Sequence, residues 1–111
     1  MLQKLFTDYI SAYAAKDIDA IGEMFADDIL LRDWKISVSG KDRALQETAI
    51  NFANAQTISI DVLQTYASDS GVAGELKIVV NHTEILYVTD VIQFNDEAKI
   101  SAIRAYIGRA D

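Results

Sequence analysis

From Thr57 to Ile107 the chain consists of long alternating segments separated by short turns, and nothing else in it constrains the fold as much. Thr57 to Ala67, Val72 to Val80, Thr83 to Phe94 and Lys99 to Ile107 read as strands. Asp69-Ser70-Gly71, Asn81-His82 and Asn95-Asp96-Glu97-Ala98 read as the turns between them. Strands joined this tightly form an antiparallel meander. The amino-terminal half has a different period. Leu2, Leu5, Phe6, Tyr9, Ile10 and Tyr13 recur at three- and four-residue steps, the mark of an amphipathic helix. Asp17 suits the N-cap of a second helix, with Ile18, Ile21, Met24 and Phe25 inward and Asp27-Asp28 closing it. Ile29 to Trp34 reads as a short strand, and Ile36 and Val38 suggest another before Gly40. Lys41 to Asn54 reads as a third helix with Leu45, Ala49 and Phe52 on one side.

Helices followed by a meander imply one α+β domain over residues 1–111. The expected architecture is a cone-shaped, curved, mostly antiparallel sheet wrapped around the three helices. Inward strand faces are aliphatic, so an interior pocket should be apolar. Phe25, Trp34, Phe52, Val88, Ile92, Ile103, Ala105 and Ile107 are its expected lining. Gly74, inside a long strand, would permit a bend or bulge that tightens the curl.

One residue interrupts this apolar lining. Between Glu84 and Phe94, alternation places Leu86, Val88, Asp90, Ile92 and Phe94 on one face. A carboxyl group there must be neutral or matched to a partner, because burying a lone carboxylate is very costly. Asp33 poses the same problem, sharing a face with Ile29 and Leu31. Tyr9 adds a phenol on the buried stripe of the first helix, and a buried phenol normally wants a hydrogen-bond partner. Three polar groups from three segments thus project toward one apolar interior, as at a small-molecule site. Each also has an ordinary role open to it. Asp90 could bond a nearby tyrosine or water, Asp33 could pair with Arg32 or Lys35 at a strand end, and Tyr9 could simply be a core tyrosine.

Composition removes several other classes. The formal net charge of −7, without a run of basic residues, argues against a nucleic-acid partner. There is no cysteine, and the single histidine, His82, falls in a turn, so neither a thiolate nor a multi-histidine metal centre is expected. No apolar run approaches the roughly 20 residues that span a bilayer, and no signal-peptide layout is present. A cytoplasmic location is the resulting expectation.

With these residues in view, the chain resembles ketosteroid isomerase, within the nuclear transport factor 2-like (SnoaL-like) superfamily. The likeness rests on Tyr9-Ile10-Ser11-Ala12-Tyr13, Lys16 to Ile21, Phe25-Ala26-Asp27-Asp28, Arg32-Asp33, Gly40, Thr89 to Asn95 and Lys99 to Gly108. The resemblance implies that Tyr9 and a protonated Asp90 form an oxyanion hole while Asp33 moves a proton. Ketosteroid isomerases are the established example of a carboxylic acid kept neutral so that it can donate a hydrogen bond. It further implies an enone-like, hydrophobic carbonyl substrate and no cofactor. Three features depart from the isomerase pattern: Trp34 replaces the proline after the base, Thr48 occupies the place of a supporting tyrosine, and the segment from Asp33 to Gly40 is short.

Arg104 and Tyr106 alternate away from Ile103, Ala105 and Ile107, onto the outer face of the last strand. A homodimer through that face is what the resemblance implies. Two rival functions remain open at this stage. One is a SnoaL-like cyclase or hydrolase that uses the aspartates differently, although no inward arginine suits the Asp-Arg-Asp set of epoxide-hydrolysing relatives. The other is a non-catalytic module for ligand binding or dimerisation.

Overall fold

The computed structural model describes residues 1–109. Three helices, α1 (Leu2–Ala14), α2 (Ile18–Met24) and α3 (Lys41–Asn54), accompany six strands. These are β1 (Phe25–Arg32), β2 (Ser37–Ser39), β3 (Ile58–Ala67), β4 (Gly71–Val80), β5 (Glu84–Phe94) and β6 (Ile100–Ile107). One curved sheet holds all six in the order β2-β1-β6-β5-β4-β3 and does not close into a barrel. The expected meander is β3 to β6, antiparallel throughout. β1 then joins β6 in parallel, which puts Arg32 beside Arg104, and β2 completes that edge.

Local chemistry sets these boundaries. Asp17 caps α2 as expected, its Oδ1 accepting from the Ala20 N–H at 3.1 Å. Asn81 and His82 both have positive φ, and across them the Thr83 N–H donates to the Val80 carbonyl at 3.2 Å, which closes the turn between β4 and β5. The Asn81 side chain also accepts from the Gln56 and Thr57 N–H groups, which ties the start of β3 to the hairpin. Asn95 Oδ1 accepts from Glu97 and Lys99 and so shapes the last turn.

The core forms where the helices meet the concave face of the sheet. Phe6, Tyr9 and Ile10 of α1, Ile21 of α2 and Phe52 of α3 pack against Phe25, Ile29, Val72, Leu76, Ile92, Ile100 and Ile103. Burying a side chain such as Phe6 contributes about 1.5–3 kcal/mol. The tip of the Phe6 ring lies directly on Gly74, where a Cβ would come within 2.2 Å of the ring's Cζ.

Three expectations need correction. Phe25 does not belong to the second helix: α2 ends at Met24, and Asp27-Asp28 lies within β1 rather than closing a helix. The apolar spacing of Ile21, Met24 and Phe25 runs on past the true helix end, and no turn residue marks the change. In α3 the buried stripe is Ala44, Thr48 and Phe52, at successive i to i+4 steps, while Ala49 is exposed. Gly74 sits in an unbroken register between Thr65 and Asp90, and the irregularity of that ladder lies between Val62 and Gln64. Gly74 therefore makes room for Phe6 rather than bending the strand.

Candidate active site

Asp90 is placed by the register of three strands. It pairs with Gly74 on β4 and with Ala105 on β6, so its side chain shares the concave face with theirs. Both neighbours are small, and the Phe6 ring covers the Gly74 side. Ile92 and Val88, two residues to either side, are buried. In the parallel ladder Leu31 lies level with Ile103 and Arg32 with Arg104. One further step brings Asp33, just past the end of β1, level with Ala105. The two acids thus sit two strands apart on one face, about 10 Å at ordinary strand spacing, with an alanine methyl between them.

The surroundings act on each group differently. Burial, reinforced by the charge of Asp33, pushes the Asp90 carboxyl up to about 7. Among the described residues nothing hydrogen-bonds that carboxyl, yet no sealed side-chain oxygen lacks a partner. The carboxyl therefore borders accessible space. Tyr9 is 4% exposed, and its hydroxyl has the same standing. Burial first, then the charge of Asp90, then Tyr13, raise the Tyr9 pKa well above the ordinary phenol value. Asp33 is held otherwise: its Oδ1 accepts from the backbone N–H groups of Lys35 at 2.7 Å and Ile36 at 2.9 Å, and its own N–H donates to the Ile36 carbonyl. One oxygen is anchored to the loop. Oδ2 is left for other work.

Tyr13 belongs to this constellation and was not singled out by the sequence. Its ring lies 6.0 Å from that of Tyr9 and meets Phe52 edge-on at 4.9 Å, while Tyr9 also approaches Phe25 at 6.3 Å. The Tyr13 hydroxyl accepts from the Asn51 amide at 3.2 Å. Burial raises its pKa, the Asn51 bond lowers it, and the charges of Asp90 and Asp33 raise it again. Only a group near both acids responds to both. The available signal was the four-residue step from Tyr9, which equally fits a core stripe. Thr48 offers nothing to the site, because its hydroxyl donates to the Ala44 carbonyl at 2.8 Å.

Of the expected lining, Phe25, Phe52, Val88, Ile92 and Ile103 are buried, and Ala105 is half-buried beside Asp90. Trp34 and Ile107 are 42% and 44% exposed. Two clefts lie elsewhere. One, of about 610 Å³, is polar and runs from Glu23 and Asp27 to Glu97 and Lys99. The other, of about 300 Å³, lies between β2, β1 and β6. Arg104 turns away from the acids, its Nη1 donating to the Gln93 Oε1 at 2.9 Å, as its alternation predicted. An Asp-Arg-Asp set is not assembled from it. Among the described residues no group of three metal-ligating side chains converges.

A SnoaL-like domain model matches residues 6–103, and the chain belongs to that family. A search of curated proteins finds no match. Among solved structures, a SnoaL-like protein of unknown function from Burkholderia thailandensis superposes with a TM-score of 0.87 at 17% identity, covering 97% of this chain and 95% of that one. A candidate ketosteroid isomerase from Kribbella flavida gives 0.81 at 12% identity, over 97% and 78%. SalBIII, an epoxide hydrolase/cyclase-like enzyme of pyran ring formation in the polyether salinomycin, gives 0.82 at 21% identity, over 96% and 89%. At these identities the likeness establishes the fold.

Proposed function

We propose that this protein is a ketosteroid-isomerase-like enzyme that shifts a proton on a hydrophobic carbonyl compound of the enone type. The observation that carries this reading is the pair of unpartnered donors. Asp90, with its pKa near 7, and Tyr9, whose own pKa the Asp90 charge raises, each border open space without a protein acceptor. A carbonyl oxygen placed there receives a hydrogen bond from each. Asp33 Oδ2 takes the proton from the adjacent carbon, and the charge that develops on oxygen is stabilised by the two donors. The proton then returns from Asp33 to a second carbon of the same molecule, so the reaction is redox-neutral. Anchoring of Asp33 Oδ1 limits the carboxyl to pivoting, which suits transfer between nearby carbons. Neutral donors suit a site largely withdrawn from water, where fixed dipoles are most effective.

A second reading is favoured by the same asymmetry between the acids: a cyclase or hydrolase in which Asp90 donates the proton and Asp33 receives one. The chain is further proposed to form a homodimer through the outer face of the sheet, where Tyr66, Ile85 and Tyr106 remain exposed. No helix among the described residues is long and apolar enough to cross a membrane.

The test is proton exchange and isomerisation of a hydrophobic β,γ-enone, followed by ultraviolet absorbance. Wild type should turn it over, and Asp33→Asn should lose at least 10²-fold. Equal rates for the two proteins would refute the assignment of the base. Epoxide opening without enone isomerisation would favour the second reading.

A further inference from the structure

The parallel ladder between β1 and β6 sets Arg32 and Arg104 side by side on the convex face, opposite the candidate active site. Their Cα atoms are register partners on adjacent strands, which ordinarily run about 4.8 Å apart. Two long cationic side chains thus rise from neighbouring points of the sheet. In a chain with 17 acidic and 10 basic residues, acidic partners should be plentiful. Yet among the described residues neither guanidinium has a carboxylate within 4.0 Å. Each is instead held by a neutral oxygen: Arg32 Nη2 donates to the Tyr106 hydroxyl at 2.8 Å, and Arg104 Nη1 to Gln93 Oε1 at 2.9 Å. Arg32 is also steadied by the Tyr106 ring, 5.8 Å from its Cζ to the ring centroid. A guanidinium has five N–H donors, so these bonds fix the two forks while most of their donors stay available.

Both arginines line the 300 Å³ groove, together with Ser37 and Ser39 of β2 and an apolar base including Leu30 and Ala102. We propose that this groove is a second, separate binding site for a phosphate monoester or inorganic phosphate. Charge favours phosphate over a single carboxylate. A phosphate monoester carries roughly −1.5 to −2 at neutral pH, which balances two guanidiniums, whereas one carboxylate balances half. The number of donors favours it too, because two guanidiniums and two serine hydroxyls along the groove offer more N–H and O–H groups than two carboxylate oxygens accept. The groove depends on nothing in the candidate active site, since Asp33 and Asp90 lie on the other face of the sheet.

The test is a titration of the full chain with inorganic phosphate at constant ionic strength and pH 7.5, followed by amide chemical shifts. Expected are saturable shifts confined to residues 30–32, 37–39 and 102–104, weakened at least tenfold in Arg32→Gln and in Arg104→Gln. Arg32 is exposed, so its variant keeps the test valid if Arg104→Gln fails to fold. Sedimentation on the same samples separates the groove from an interface between copies. Shifts that grow linearly, equal shifts in Arg32→Gln, or an equal response to malonate would each overturn the phosphate site. So would variants that alter only self-association, which would assign the arginines to acidic groups of a second copy.

Discussion

Asp90 couples the stability of this protein to pH. Its carboxyl titrates near 7 when folded, against about 3.9 in an unfolded chain. Folding therefore takes up a proton between those values. Below the lower value the acid is neutral in both states and costs little. As pH rises through the window, the unfolded chain ionises first and stability falls, levelling off above the folded value. Urea unfolding from pH 4 to 8 should show a loss on the order of 3 kcal/mol, and Asp90→Asn should flatten that slope. Matching profiles would exclude the raised pKa. Activity should decline in the same direction, since an ionised Asp90 cannot donate to an oxyanion. Tyr9→Phe, which removes one donor, should lower turnover about 10²–10³-fold with little change in fold. Tyr9, Asp33 and Asp90 were legible in the sequence because each is a polar side chain on an apolar face. Tyr13 was not, because a tyrosine on a helical stripe reads alike whether it faces a core or a hollow.

Elements with strong local signals were legible almost to the residue. α3 spans Lys41–Asn54 as read, and the hairpins at Asn81-His82 and Asn95 to Ala98 follow from turn chemistry. The α2–β1 junction was not legible, since the change from helix to strand after Met24 is set by pairing with β6 rather than by a local breaker. The parallel β1–β6 ladder was equally hidden. Register between segments some 70 residues apart leaves no short-range trace, and the Arg32–Arg104 neighbourhood came with it. Gly74 shows how one strand position governs a helix contact. Gly74→Ala should destabilise the fold by about 1–3 kcal/mol through overpacking against Phe6, measured by thermal or denaturant unfolding. Unchanged stability would mean that α1 can shift without cost. Asp17→Ala removes the bond that starts a seven-residue helix, and about 1 kcal/mol should go with it.

The whole molecule divides its work between the two faces of one sheet. The concave face, covered by helices, collects the acids and phenols; the convex face presents arginines and exposed apolar side chains. If the convex face joins two copies, wild type should sediment at twice the 12.3 kDa chain mass, and Ile85→Glu should yield folded monomer. A wild-type monomer at all accessible concentrations would refute the dimer. The convergence of Tyr9, Asp33 and Asp90 is tested most directly by the affinity of a hydrophobic phenol, whose oxygen mimics the developing oxyanion. Wild type should bind it saturably, with affinity falling at least tenfold in both Tyr9→Phe and Asp90→Leu while each variant stays folded. Binding that survives both substitutions, or no binding by wild type, would contradict a shared oxyanion site.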